Sequence, residues 1–125
     1  MVESTIKLNN PQNLDVHELL AFIYGLSRSD IEVLHAILTS KEPITTEEIA
    51  KKLNVTKASV SKSLNNLIEK GLVLRNKSIM QERRKGRPSY YYIVNRDYLL
   101  GKVIKDLESF TETYKEAIKT HFMNA

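Results

Sequence analysis

Between Thr45 and Gly71 the chain carries two helical patterns separated only by Asn54-Val55-Thr56, and no other stretch limits the fold as tightly. The first opens with Thr45-Thr46-Glu47-Glu48, where Thr45 and Glu48 have the spacing of a reciprocal cap. In such a cap the hydroxyl accepts the N–H three residues on, and the carboxylate returns to the cap's own N–H. Ile49, Ala50 and Leu53 then fall on one inward face. After the turn, Thr56 is placed to cap a second helix running from Lys57 to Lys70. Val60, Leu64, Leu67 and Ile68 form its apolar stripe, and Gly71 stands where a helix-terminating glycine belongs. The opposite face holds Lys57, Ser59, Ser61, Lys62 and Asn65, with little acid. A helix so divided packs by one side and leaves a small, polar, basic side free to enter a groove.

The flanking segments are punctuated just as clearly. Residues 1–12 are polar, contain Asn9-Asn10-Pro11, and read as a loose arm. From Leu14 to Tyr24 apolar residues recur at Leu14, Val16, Leu19, Leu20, Phe22 and Ile23, a widely packing helix ended near Gly25. Next, Leu26-Ser27-Arg28-Ser29-Asp30 offers a serine cap for a helix whose inward face is Ile31, Val33, Leu34, Ile37 and Leu38. Lys41-Glu42-Pro43 ends it. Beyond Gly71 the pattern turns to strands: Leu72 to Ile79 is rich in branched residues, and Tyr90-Tyr91-Tyr92-Ile93-Val94 favours β structure strongly. Between them Gln81 to Ser89 carries four cations and one anion, so a β-hairpin with a basic projecting tip is expected. Asn95 or Asp97 opens a last helix reaching about Phe122.

Charge follows the same division. The formal net charge is +4. Residues 1–53 hold five Lys/Arg against eight Asp/Glu, residues 54–89 nine against two, and residues 90–125 five against five. The middle segment alone is therefore +7, on the groove-suited helix and the hairpin together. Such a focused positive field suits a polyanion. Nucleic acid is favoured over an anionic membrane, because no basic amphipathic helix with apolar anchors is present. Helix, tight turn, helix and basic hairpin is the winged helix-turn-helix order. Its second helix enters the major groove, about 12 Å wide, while the first crosses the backbone. Thr56, Lys57, Ser59, Ser61, Lys62 and Asn65 are the candidate major-groove residues. Arg83, Arg84, Lys85 and Arg87 are the candidate wing contacts, with Thr46, Arg75 and Lys77 on the DNA backbone.

The run Ile49-Ala50-Lys51-Lys52-Leu53-Asn54-Val55-Thr56-Lys57-Ala58-Ser59-Val60-Ser61, with Leu67-Ile68-Glu69-Lys70-Gly71-Leu72-Val73, resembles MarR-type winged-helix regulators. Leu26 to Leu34 fits their opening helix. The wing Arg84-Lys85-Gly86-Arg87-Pro88-Ser89-Tyr90-Tyr91-Tyr92 is closer to small archaeal winged-helix regulators of the biofilm-regulator type. The likeness covers roughly residues 26–95. It implies a dimer, and a wing arginine, Arg83, Arg84 or Arg87, in the minor groove. Glu82 departs from the aspartate that usually orients that arginine.

Pairing has its own signal. Leu100, Val103, Leu107, Phe110, Tyr114, Ala117 and His121 alternate in steps of three and four, an a/d pattern widened by Ile104 and Ile118. About 25 helical residues span near 38 Å, more than a helix-turn-helix core covers. Packing of the first and last helices within one subunit is the plainer alternative. Pairing with a second copy is favoured, because two-fold readers meet half-sites about 34 Å apart.

Other chemistries find little support. The chain has no cysteine, which excludes disulfides, thiolate metal sites and cysteine nucleophiles. His17, His35 and His121 lie on three different helices without ligand spacing, and no Ser-His-Asp set or glycine-rich phosphate loop is present. The tyrosine run reads as strand packing, the minority alternative being the wall of a small-molecule effector pocket. Met1-Val2-Glu3-Ser4 lacks a signal peptide's basic start and apolar stretch.

The expectation is thus a mainly α fold with a small β-hairpin, one winged-helix domain over residues 1–125. Its core would be 26–95, with dimerisation helices at 14–25 and 96–123. It would be a cytoplasmic, nucleoid-associated homodimer that regulates transcription on double-stranded DNA, without catalysis or cofactor. The rival, from a different class, is an abundant chromatin-organising protein with little sequence preference; a third reading, a protein-interaction winged helix that never touches nucleic acid, is disfavoured by the +7 segment.

Overall fold

The computed structural model describes residues 15–78 and 89–124. The N-terminal arm, Leu14 and the wing cations Arg83, Arg84, Lys85 and Arg87 lie outside the described residues. Within them the order is α1 (Val16–Tyr24), α2 (Arg28–Leu38), α3 (Thr46–Leu53), α4 (Lys57–Glu69), β1 (Leu74–Ser78), β2 (Ser89–Ile93) and α5 (Arg96–Met123).

Each helix start is fixed by a side chain that accepts an otherwise unpaired N–H. Asp15 caps α1, and Ser27 with Asp30 forms a capping box on α2. Thr45 and Glu48 do the same on α3, with Glu48 N–H donating to Thr45 Oγ1 at 3.1 Å and Thr45 N–H to Glu48 Oε1 at 2.9 Å. Thr56 caps α4 and Asn95 caps α5. The α3–α4 turn closes because Asn54 takes a left-handed conformation, φ 58°, and Val55 N–H reaches back to the Ala50 carbonyl at 3.0 Å. At the far end of α4, Gly71 adopts φ 77°. Its N–H bonds the Ile68 carbonyl at 2.9 Å and Leu72 N–H bonds the Leu67 carbonyl at 3.0 Å, the paired pattern that turns a chain sharply off a helix. That turn buries Leu72 and Val73, so the first strand begins at Leu74 rather than at Leu72.

The two strands pair antiparallel, with Arg75 opposite Tyr92 and Lys77 opposite Tyr90. On the other side of β2, Ile44 exchanges both backbone hydrogen bonds with Tyr92, at 3.1 and 2.8 Å. The hairpin is thereby tied to the segment before α3. Beneath it lies one core of Leu34, Ile37, Ile49, Val60, Leu64, Leu67, Val73 and their neighbours. Leu64 and Leu67 are sealed from solvent, and burying each stabilises the fold by about 2 kcal/mol. On α1, Leu20, Ala21 and Tyr24 reach this core. On α5, only Leu99 packs against it, and residues 111–124 are exposed throughout.

Candidate nucleic-acid interface

Because Val60, Leu64 and Leu67 are buried, the rotation of α4 about its axis is set and its outer arc is determined. Lys57, Ser59, Ser61, Lys62 and Asn65 are all exposed on or beside that arc, and Thr56 is exposed at its N-terminal cap. At 100° per residue, Lys62 and Asn65 occupy its middle with Ser61 to one side, together with exposed Ala58, which sequence reasoning did not single out. A methyl group there lets a helix backbone approach closely and suits contact with a thymine methyl. Lys57 stands at one margin and pairs with Glu47 of α3 at 3.3 Å, both side chains well exposed. A solvated pair of this kind adds little stability and gives way readily to a stronger anion.

A buried polar network locks α4 to α2. Asp30, 7% exposed, accepts from Asn66 Nδ2 at 2.7 Å and from Ser27 N–H at 3.1 Å. Buried Ser63 also bonds the Asp30 carboxyl. Burial pushes the Asp30 pKa up, but the hydrogen bonds from Ser63, Ser27 and Asn66 outweigh it and hold the carboxyl below its ordinary value. Directional bonds fix both the rotation and the height of a helix, where an apolar contact alone tolerates sliding. Sequence reasoning found the serine cap and missed this network, since Asn66 lies 36 residues from Asp30 and nothing local pairs them.

The remaining candidates divide by place. Thr46 opens α3 and is half-buried. Arg75 and Lys77 are exposed on β1, and the Arg75 guanidinium lies 4.6 Å from the centre of the Tyr90 ring. That contact aims Arg75 along the hairpin and gives Tyr90 a role beyond strand packing. Along α5, Val103, Leu107 and Phe110 are half-buried, whereas Leu100, Tyr114 and Ala117 are exposed. Phe22 of α1 joins them: its ring meets Phe110 edge-on at 5.4 Å and stacks on Tyr114 at 6.0 Å. The first and last helices thus touch within one chain. A further apolar row, Leu100, Ile104, Ile118 and Phe122, is left exposed beside that contact. The structure also brings the His17 and His35 rings to 5.2 Å, although no metal-binding cluster occurs among the described residues. Nor is any described helix long and apolar enough to cross a membrane.

Residues 20–97 match the family model described as sugar-specific transcriptional regulator TrmB. The chain belongs to the TrmB family. The matched residues run from α1 to the start of α5 and include the whole helix-turn-helix and hairpin. Among solved structures, the ST1889 protein of the thermoacidophilic archaeon Sulfolobus tokodaii is 30% identical, with a TM-score of 0.68 over 81% of this chain and 92% of that one. A possible transcriptional regulator from Methanosarcina mazei Go1 is 19% identical, with a TM-score of 0.72 over 85% and 88%. The S. aureus MepR–DNA complex is 21% identical, with a TM-score of 0.54 over 86% and 79%. No curated protein matches the chain. This TrmB-family chain therefore has the winged-helix fold shared by archaeal and MarR/MepR-type regulators, as the sequence resemblance implied. Family and fold are those of transcriptional regulators rather than of enzymes.

Proposed function

We propose that this protein is a homodimeric, sequence-preferring reader of double-stranded DNA that regulates transcription from the nucleoid, in the cytoplasm. The observation that carries the proposal is α4 itself. Its apolar side is buried, its axial position is pinned through Asp30, and its outer arc presents Ala58, Ser61, Lys62 and Asn65, with the acid Glu69 only at its C-terminal end. Thr56, Lys57 and Ser59 flank that arc. Hydroxyl and amide groups at such positions bond base edges and phosphates, and the lysines supply counterion release. Arg83, Arg84, Lys85 and Arg87 would hold the phosphates or the minor groove, and Thr46, Arg75 and Lys77 the backbone.

A second copy is the proposed occupant of the exposed row on α5. Leu100 is 62% exposed, Ile118 49% and Phe122 72%. Solvated apolar side chains in a row along so long a helix favour association. A dimer sets two α4 helices at a fixed separation and doubles the contacts that choose a site.

Genome-wide footprinting in the protein's own cells tests the reading. Paired half-sites that survive competition with random DNA support it. Uniform occupancy erased by random DNA means low-specificity chromatin binding, and no protection at all means the outer face of α4 serves something other than DNA.

A further inference from the structure

Two helices end side by side beneath α5. Helix α1 stops at Gly25 and α4 at Gly71, both with positive φ. The C-terminal ends of two helices bring adjacent partial negative charges together. Two lysines lie there. Lys70 Nζ donates to the Tyr24 carbonyl at 2.8 Å, joining the end of α4 to the end of α1. Lys102 of α5 lies across Gly71, where an added Cβ would stand 3.3 Å from its Cε. The Lys102 ammonium then pairs with Asp106 at 3.1 Å, and Asp106 accepts the Tyr24 hydroxyl at 2.6 Å. Four side chains on three helices thus close one polar joint.

Beside the apolar contacts of Leu99, Phe110 and Tyr114, two polar points hold α5, and the joint is the second. At the first, Arg96 Nη2 donates to the Leu38 carbonyl at the end of α2, at 2.7 Å. The ten residue steps from Arg96 to Asp106 correspond to ~15 Å of helix, so the two anchors set a direction rather than a mere attachment. Beyond Asp106 the helix meets the rest of the chain again at Phe22, through Phe110 and Tyr114, and its last turns to Met123 are exposed. Over that ~25 Å lever, a tilt of about 10° moves the far end by ~4 Å, close to one base-pair rise.

We propose that Tyr24, Lys70, Lys102 and Asp106 are positioning residues that set the angle between the reading helix α4 and the pairing helix α5, and so fix the half-site spacing this protein accepts. The inference rests on the dimeric DNA-reading function above and adds its geometry. The joint touches no DNA. It decides how far apart the two reading helices stand, not which bases they meet.

The test is in vitro selection from duplexes with a randomised centre, using the full chain and its Tyr24→Phe, Asp106→Asn and Lys102→Arg variants. Circular dichroism and sedimentation establish that each variant is folded and dimeric. The wild type should enrich one half-site sequence at one spacing. Tyr24→Phe and Asp106→Asn should enrich the same half-site over several spacings, with affinity at the wild-type spacing about tenfold weaker, the loss of one charge-assisted bond. Lys102→Arg, which keeps the ion pair, should retain the single spacing. A merely structural contact would lower the melting temperature and leave the spacing unchanged. Folded, dimeric Tyr24→Phe and Asp106→Asn proteins with one wild-type spacing overturn the joint while leaving the DNA-reading function intact. A wild type that enriches nothing, or stays monomeric, overturns both.

Discussion

Replacing Asp30 by alanine tests whether the polar network, rather than the apolar stripe alone, holds α4 in place. The carboxylate receives hydrogen bonds from Asn66, Ser63 and Ser27, and it is buried. A bond to an ionised group contributes about 1.5–3 kcal/mol, and a buried donor left without its acceptor costs about 1–3 kcal/mol. Ser27 and Asn66 can turn partly to water, whereas Ser63 is 3% exposed and cannot. The expected loss is therefore about 3 kcal/mol, a fall of roughly 10 °C in melting temperature for a domain of this size. Asp30→Asn, which keeps the shape and one acceptor oxygen, should lose about half as much. The pH dependence carries the sharper sign. The folded state holds the carboxyl below its ordinary value, so the stabilisation is complete above the unfolded pKa of about 4 and fades as pH falls through the folded value. Urea unfolding at one fixed protein concentration should show the gap between wild type and Asp30→Ala to be widest at neutral pH and to narrow below about pH 4. A gap under about 1 kcal/mol, or one unchanged down to about pH 3, would refute the reasoning.

Two further outcomes follow from the same geometry. Gly71→Ala forces a side chain into a left-handed conformation and against Lys102, which should cost about 1–2 kcal/mol in urea unfolding; no loss would mean the turn has relaxed elsewhere. Ile118→Asp alters a residue 49% exposed in the single chain, so sedimentation should show monomer with unchanged helix content. A dimer that persists would place the interface away from the distal half of α5.

What could be read from the residue string was whatever is local. Thr45 with Glu48, Thr56, Asn54 and Gly71 each act within a few residues, and each does in the structure what its chemistry requires. The stripe of α4 was legible for the same reason, since helical periodicity is a local property. Contacts across the chain were not. Tyr24 and Asp106 are 82 residues apart, and neither has a neighbour that marks it. Ile44 becomes a strand partner of Tyr92 only once the hairpin folds back on it. On α5 one apolar pattern concealed two faces. Phe110 meets Phe22 within the chain, while Ile104 and Ile118 remain solvated. Spacing shows that a stripe exists, but tertiary packing decides which part of it is already covered.

Binding to a random-sequence duplex, followed as salt is raised, tests the reading role of α4 most directly. Compared are the wild type and a Lys57→Ala/Lys62→Ala double variant. Affinity of the wild type should fall linearly on logarithmic axes, and the slope should shrink by about two in the double variant, one for each lysine withdrawn from phosphate. Equal affinity and an unchanged slope would show that the outer face of α4 does not meet DNA.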